Sequence, residues 1–288
     1  MPSIVSVIIP TYKDTAELKI CLRCLLNQTI DSADFRIIVC NNDPRTELAK
    51  VAEQFPTVTF ITEPTPGSYS ARNAALLASE SAIVAFTDAD CQPEPTWLQN
   101  GLQHINQGAD LVAGQVALIF ESESLSAAEC YEKAFGFDQR SNAQKGVSVT
   151  ANLIARRDCF LTVGYFNSSL MSGGDIDWTK KATSAGLSLV YGEDCVVLHR
   201  ARSSIRQILK KVKRVAGGQF VKGDTPPTWR LVALFLLPPA MIIKKIYTKP
   251  NMSATQKCQA SLIAYLVKLV YYVEILKLKM QITSPKRS

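Results

Sequence analysis

Apolar runs and helical repeats alternate along the first 90 residues of the chain. Residues 4–10 form an apolar run that ends at a proline, which predicts a buried strand. The same patterns, with turn-forming residues between them, predict strands at 35–40, 58–62 and 83–86 and helices at 14–25, 46–54 and 68–79. Such alternation is typical of a parallel sheet with helices on both faces.

The notable polar residues of this region lie where the predicted strands end. Thr11 and Tyr12 follow the first strand, and Asn41 follows the second. Asp88 and Asp90 follow the fourth. Because α/β sheets bind ligands beyond the carboxyl ends of their parallel strands, this coincidence is the first functional indication in the sequence.

Residues 95–200 continue the alternation less regularly. The predicted strands are 111–120, 147–154, 187–191 and 196–199, and the predicted helices are 95–107, 125–137 and 173–185. The last helix opens with two glycines followed by Asp175. An aspartate there can cap the helix, or it can act as a general base, because the glycines leave it approachable by a substrate.

The end of the chain has two apolar stripes at helical spacing, both mixed with basic residues. The stripes are Ile205, Leu209, Val212 and Val215, and Leu262, Leu266, Leu269, Val273 and Leu276. Between them, residues 231–243 are uncharged but interrupted by two prolines. No uncharged run reaches the roughly 20 residues that a straight transmembrane helix needs. We expect basic amphipathic helices in the membrane interface; alternatively, the stripes pack on the preceding domain or on a second subunit in a homodimer.

Charge separates the same two regions. Residues 1–199 hold 14 Lys and Arg and 23 Asp and Glu, a net charge of −9. Residues 200–288 hold 18 and 2, a net charge of +16, and the two sum to the +7 of the chain. A basic and apolar region favours an anionic membrane as its partner. Nucleic acid is not expected, because the region lacks the layout of aromatic side chains on which bases stack.

The first residues show no basic segment or cleavage site of a signal peptide. The chain is therefore expected in the cytosol, peripheral on the inner face of the cell membrane, with its 8 cysteines reduced. Cys21 and Cys24 have CxxC spacing, but no second ligand pair follows at the distance of a zinc site. Since both fall on a predicted helix, helix thiols are expected there.

Asp88 and Asp90 lie two residues apart at the end of a buried strand. Carboxylates so close repel each other unless a cation lies between them. Oxygen ligands suit Mn²⁺ or Mg²⁺, which also bind substrate phosphates. The alternative for such a DxD sequence is a solvated turn.

Two basic side chains could complete an anion site. Arg72 lies near the start of a predicted helix that Gly67 opens, where backbone N–H groups and a guanidinium can bind phosphate. The alternative is a surface arginine. His199 ends the last predicted strand and could be a metal ligand, a phosphate donor or a hydrogen-bonded structural histidine.

Several motifs in order resemble the glycosyltransferases of family 2 over roughly residues 3–200. They are the first strand 5–12, the segment 67–73 with its arginine, the DxD segment 86–90, the segment 152–166 and the pair 174–175. The resemblance implies the GT-A fold, an α/β fold with a mixed sheet flanked by helices. It implies a catalytic domain at 1–202, with a nucleotide-binding half at 1–92 and an acceptor-side half at 93–202. The basic helical region at 203–288 follows it.

The resemblance also implies a role for each matching residue. The residues implied for donor binding are Pro10, Thr11, Tyr12, Asn41, Arg72 and Asp88. Those implied for the metal, Mn²⁺ or Mg²⁺, are Asp90, Asp88 and His199. Asp175 would be the catalytic base.

Two residues depart from the family's pattern. Asn41 stands where an aspartate usually pairs with uracil, and because an amide both donates and accepts, the choice of base stays open. Gly174 stands where a glutamate usually precedes the base. This difference affects the expected contacts with the acceptor and leaves the base itself in place.

The expected function is metal-dependent, inverting transfer of a hexose from a nucleotide sugar to the hydroxyl of a saccharide or lipid-linked acceptor. A UDP-sugar is the expected donor, and synthesis of an envelope polysaccharide or glycolipid is the expected setting. The alternative is an inactive, membrane-associated scaffold that binds nucleotide sugars. A dinucleotide oxidoreductase or a nucleotide-sugar synthase is disfavoured, because Pro10, Thr11 and Tyr12 follow the first strand where a glycine-rich loop would stand.

Overall fold

The computed structural model describes residues 3–228, 231, 235, 237 and 239–285. Its strands are β1 Val5–Thr11, β2 Phe35–Asn41, β3 Thr59–Thr62, β4 Ile83–Thr87, β5 Cys91–Pro93, β6 Leu111–Ile119, β7 Asn152–Arg156 and β8 Leu189–Arg200. Its helices are α1 Thr15–Leu26, α2 Ala49–Ala52, α3 Ser68–Leu77, α4 Trp97–Asn106, α5 Ala127–Phe135, α6 Gln139–Gln144, α7 Asp158–Val163, α8 Gly174–Ser184, α9 Ile205–Lys222, α10 Ala240–Tyr247 and α11 Ala254–Lys279.

The strands form one eight-stranded sheet in the order β3-β2-β1-β4-β7-β6-β8-β5. The first four strands of the chain are parallel. β7 runs antiparallel to β4 and β6, and β5 runs antiparallel to β8. The sheet is therefore mixed, as predicted, and its parallel half comes from the first part of the sequence. At the carboxyl end of this half, Thr11 lies beside Asn41 and Thr87 lies beside Asn152.

Strand β1 is covered on both faces. Val7 and Ile9 belong to the same buried cluster as Leu22 of α1. Ile8, whose side chain points to the other face, is also fully buried. Burial of both sets explains why β1 reads as one continuous apolar run rather than as an alternating pattern.

Several segments differ from their predicted structure. The strand predicted at 147–154 begins only at Asn152, and helix α6 was not predicted. The strands predicted at 187–191 and 196–199 are one continuous strand, β8. Its middle contains Glu193 and Asp194, which are exposed and extended, although successive polar residues after a glycine resemble a turn. Strand β5 was missed, because three residues that include Pro93 are too few for a periodic pattern. Cys91 of β5 pairs directly with His199 of β8.

The chain forms two compact units. The first comprises residues 1–117, 137–169 and 174–199. The second comprises 118–136, 170–173 and 200–288, so that α5 and a short loop join the C-terminal helices. The predicted domain boundary at residue 202 remains a prediction.

The core of the second unit contains Val212 of the first predicted stripe, together with Ile208 from the same side of the helix. Ile208 and Val212 of α9 pack with Ala128 of α5 and Ile263 of α11. Leu209 is half-buried. Val215 is also half-buried and Ile205 is 40% exposed, so only part of this stripe packs against other helices of the protein.

Helix α9 also holds the loop formed by residues 170–173. Arg214 donates to the carbonyl oxygen of Met171 at 3.1 Å. Lys222 donates to the carbonyl oxygen of Gly173 at 2.7 Å. Two basic residues of α9 therefore fix the chain immediately before Gly174.

Helix α11 is apolar on two opposite faces. One face is buried and carries Ala260, Ile263, Ala264, Ile275 and Leu278. The opposite face carries the second predicted stripe, in which Leu262 is 67% and Val273 37% exposed. The other three residues of this stripe, Leu266, Leu269 and Leu276, are half-buried, so Leu262 and Val273 are its exposed members.

None of the helices in the described ranges is long and apolar enough to cross a membrane. The uncharged segment predicted at 231–243 is covered only in part, since 232–234, 236 and 238 lie outside the described residues.

Candidate active site

Helix α3 begins beside the carboxyl end of β2 because of hydrogen bonds made by Asn42. Its Nδ2 donates to the carbonyl oxygens of Glu63 and Thr65, each at 2.8 Å. Its Oδ1 accepts from the backbone N–H of Gly67 at 2.8 Å. Gly67 has a φ of 135°, which residues with side chains rarely adopt, so a glycine is needed where the chain turns into α3.

Arg72 on α3 and Asp88 after β4 form an ion pair. Arg72 Nη2 donates to Asp88 Oδ1, and the arginine side chain is only 4% exposed. Removal from water raises the pKa of the Asp88 carboxyl, the Arg72 guanidinium opposes that rise, and the Asp90 carboxylate adds to it. Arg72 is therefore not a surface arginine. It is a buried cation held at the DxD segment.

Asp90 and His199 form a second pair at the same strand ends. His199 Nε2 lies 3.4 Å from Asp90 Oδ2, and the Phe137 ring centroid lies 4.9 Å from that of the imidazole. Ligand atoms of Asp90, Cys91 and His199 all lie within 4.8 Å of one another. Burial raises the pKa of the Cys91 thiol well above its ordinary value, and the Asp88 and Asp90 carboxylates raise it further. The carboxylate oxygen of Asp90 is a ligand of the kind that Mn²⁺ and Mg²⁺ prefer, whereas the imidazole nitrogen and the thiol are softer ligands.

Asp175 lies in the first turn of α8, and both of its carboxylate oxygens accept hydrogen bonds. Oδ1 accepts from the Tyr69 hydroxyl at 3.0 Å and from the Ile176 N–H at 2.9 Å. Oδ2 accepts from the Thr150 N–H at 3.2 Å. Since Tyr69 and Arg72 share helix α3, Asp175 is connected through this helix to the ion pair at Asp88. The charge of Asp175 also contributes to the raised pKa of the Asp88 carboxyl.

Three buried polar atoms in this region lack a hydrogen-bond partner within the described part of the chain. They are Oγ1 of Thr11, Oγ of Ser70 and Nε of Arg72. Buried polar atoms without partners are rare, and each needs an explanation. All three belong to the end of β1 or the start of α3, where a bound ligand would supply the missing partners.

The other residues predicted for the nucleoside pocket are arranged differently. Pro10 and Tyr12 are half-buried on either side of Thr11. The Asn41 amide is buried and holds a turn, in which Nδ2 donates to Thr46 O at 2.8 Å and Oδ1 accepts from Asp43 N at 3.0 Å. Asn41 therefore has one N–H and one lone pair left for a ligand.

No role was predicted for Tyr69 and Ser70 on α3. The signal was present, because Tyr69 and Arg72 are three residues apart on the helix and so lie on one face. Asn73 continues that face. Its Nδ2 donates to the Phe166 carbonyl oxygen at 2.8 Å, and its Oδ1 accepts from the Phe166 N–H at 3.1 Å.

Arg156 and Arg157 lie at the other end of the sheet, although they belong to the segment that resembles the acceptor side. Arg156 pairs with Ile83, the first residue of β4. It donates to the Ile105 carbonyl oxygen at 2.6 Å, and Arg157 donates to the Ser79 carbonyl oxygen. Both arginines stabilise the fold far from the DxD end of β4.

Two solved structures share this architecture. The mannosyltransferase PcManGT from Pyrobaculum calidifontis, in complex with GDP-Man and Mn²⁺, has a TM-score of 0.58 at 16% identity, covering 98% of this chain and 87% of that one. S. aureus TarS 1-349, in complex with UDP, has a TM-score of 0.55 at 14% identity, covering 98% and 92%. These structural similarities show that the chain has the GT-A fold.

The sequence places the chain within that class. Residues 6–153 match the family described as Glycosyl transferase family 2. Glycosyltransferase AglE of Haloferax volcanii is 37% identical over 222 residues, which are 75% of this chain and 72% of AglE. A pre-mycofactocin glycosyltransferase of Mycobacterium tuberculosis is 28% identical over 159 residues, which are 53% of this chain and 34% of that protein. The chain belongs to glycosyltransferase family 2.

Proposed function

We propose that this glycosyltransferase transfers a hexose from a nucleoside diphosphate sugar to an acceptor hydroxyl with inversion, and that Asp175 is the base. The connection of Asp175 through Tyr69 and Arg72 to Asp88 is the observation that carries the proposal. The Asp175 carboxylate takes the proton of the acceptor hydroxyl while that oxygen attacks the anomeric carbon. The bond from this carbon to the diphosphate oxygen breaks, its electron pair leaves with the diphosphate, and the configuration inverts.

On the donor side, Thr11, Ser70 and Arg72 would offer their unpaired polar atoms to the nucleotide. Asp90 and His199, with Asp88 nearby, would hold Mn²⁺ or Mg²⁺. Such an ion, when bound, offsets negative charge on the diphosphate. The complex of PcManGT with GDP-Man and Mn²⁺ supports this assignment.

A UDP-sugar is the proposed donor. The complex of TarS with UDP supports uracil, whereas GDP-Man in PcManGT supports a purine. The remaining N–H and lone pair of Asn41 can pair with a pyrimidine edge or a purine edge, so this amide does not select the base.

A thermal-shift screen of nucleoside diphosphates, with and without Mn²⁺, tests donor binding. At 100 times its Kd a ligand stabilises the folded protein by about 2.7 kcal/mol. For a protein of this size that raises Tm by about 5 °C or more. We expect the largest increase with UDP and Mn²⁺ together. Unchanged Tm values with UDP, GDP, ADP and CDP, in both conditions, would show that the donor proposal is wrong.

The alternative function is binding of a nucleotide sugar without turnover, by a membrane-associated scaffold. Gly174, in place of the glutamate common in the family, is the observation that favours it. The position of Asp175 beside the DxD segment favours catalysis instead. An assay that detects transfer or hydrolysis of UDP-sugars with Mn²⁺ separates the two functions.

For the acceptor we propose a saccharide or lipid-linked glycan at an anionic membrane, the inner face of the cell membrane. Leu262 and Val273 of α11 support this partner, because they are exposed on one side of the helix with the exposed Lys277 beside them. Apolar side chains beside lysines match the interface of an anionic bilayer.

Vesicle co-sedimentation tests this surface. The native protein is expected to bind vesicles that contain phosphatidylglycerol, and to bind them less as salt increases. The double variant Leu262→Glu, Val273→Glu is expected to bind at least about 10-fold more weakly, because two apolar side chains no longer leave water.

The matched control is Thr255→Glu, Cys258→Glu, which adds the same charge at exposed positions of the same helix. Equal vesicle binding by the two double variants would exclude the stripe as the contact. A change of mass in solution with the first variant alone would assign the stripe to a second copy of the chain instead.

A further inference from the structure

The ring of Tyr69 occupies the space beside Gly174. A Cβ atom added to Gly174 would lie 2.7 Å from Tyr69 Cε2 and 2.9 Å from both Cδ2 and Cζ. Side chains do not approach so closely without a shift of one partner. Glycine at this position is therefore matched to the tyrosine, and the glutamate common in the family could not stand here beside this ring.

Tyr69 is fixed on several sides. Its side chain is buried, its ring centroid lies 5.8 Å from that of Phe166, and the Arg72 guanidinium lies 5.5 Å from the ring centroid. Burial raises the pKa of the Tyr69 hydroxyl, and the nearby Asp175 charge raises it further. The hydroxyl is therefore protonated and donates to Asp175 Oδ1 at 3.0 Å.

We propose that Tyr69 positions the carboxylate of Asp175. We also propose that residue 174 is a glycine because any side chain there would keep the tyrosine ring from reaching Asp175. The inference rests on the proposed role of Asp175 as base. Tyr69 ties this carboxylate to α3, the helix that also carries Arg72. One helix, α3, then positions both the side chain proposed to contact the donor and the proposed base. A misplaced base lowers the rate, because the displacement at the anomeric carbon needs aligned reactants.

Tyr69→Phe tests the hydroxyl alone. We expect kcat to fall about 10-fold with the KM for the donor nearly unchanged, and Tm to fall by only a few degrees, because one hydrogen bond is lost while the ring and its packing remain. The control is Tyr271→Phe, which removes a hydroxyl that donates to Gln219 in the second unit, and which is expected to retain native kcat.

A double variant shows whether Tyr69 acts through the base. In the Asp175→Asn background, Tyr69→Phe is expected to lower kcat no further, since residues that act as one unit are not additive. If Asp175→Asn lowers kcat but Tyr69→Phe does not, the positioning role of Tyr69 is wrong, while the role of Asp175 as the base still holds. If Asp175→Asn itself keeps native kcat, the proposed function fails at its base.

The match between ring and glycine is tested by stability, without an activity assay. Gly174→Ala alone is expected to lower both Tm and kcat, because the methyl group collides with the ring. In a Tyr69→Ala protein, adding Gly174→Ala is expected to leave Tm unchanged. Equal losses of Tm in the two backgrounds would show that Gly174 is not matched to Tyr69.

Discussion

Purified Asp175→Asn protein is expected to transfer sugar about 10²- to 10⁴-fold more slowly than the native enzyme. Asparagine keeps the shape of the side chain and can still accept the hydrogen bond of Tyr69, but it cannot take up the acceptor's proton. The loss should appear in kcat at saturating donor and acceptor, measured as release of nucleoside diphosphate. The Tm increase with UDP and Mn²⁺ should persist, because the donor contacts are intact.

Asp177→Asn is the matched control for that variant. Asp177 lies in the same turn of α8 and pairs with Lys181 at 2.9 Å on the surface. Since surface ion pairs contribute little, we expect its kcat to stay within about 2-fold of native. Equal activities of the Asp175 and Asp177 variants would remove Asp175 from the mechanism.

His199→Ala and Asp90→Asn are each expected to lower transfer by about 10²-fold or more at a fixed Mn²⁺ concentration. Each variant removes one of the two proposed metal ligands, whose atoms His199 Nε2 and Asp90 Oδ2 lie 3.4 Å apart. Both should also abolish the part of the Tm increase with UDP that depends on Mn²⁺. Calorimetric titration of Mn²⁺ in the presence of UDP measures the loss of metal binding directly.

His104→Ala provides the control for the imidazole. His104 is the other histidine of the chain, and it bonds Asp194 at 2.8 Å on the exposed side of α4. Its removal is expected to leave transfer and the response to Mn²⁺ unchanged. A His199→Ala protein that responds to Mn²⁺ like the native enzyme would contradict the metal assignment.

The proposed donor half of the site follows closely from periodicity. Buried runs end at Thr11, Asn41 and Asp88, and parallel pairing brings such ends to one edge of the sheet. Gly67 could be recognised as the start of a helix, and its φ of 135° agrees with that. These features are local, and local patterns are what a sequence shows most directly.

Contacts between distant residues could not be predicted in the same way. Tyr69 and Asp175 are 106 positions apart, and no spacing rule connects them. The two apolar stripes show the same limit. Both have helical period and lysines nearby, yet Val212 on α9 is buried and Leu262 on α11 is exposed. Periodicity identifies an apolar face, but when a helix such as α11 has two of them, only packing decides which one meets the core.

The hydrogen bonds from α9 to the loop at 170–173 have a consequence for protein engineering. Arg214 and Lys222 bond to carbonyl oxygens just two to four positions ahead of Asp175. A fragment cut after residue 202 would lack both hydrogen-bond donors, so poor turnover of such a fragment could come from the loosened loop alone. Point changes at Leu262 and Val273 of α11 leave these hydrogen bonds intact, and they therefore test the proposed membrane contact without disturbing the loop.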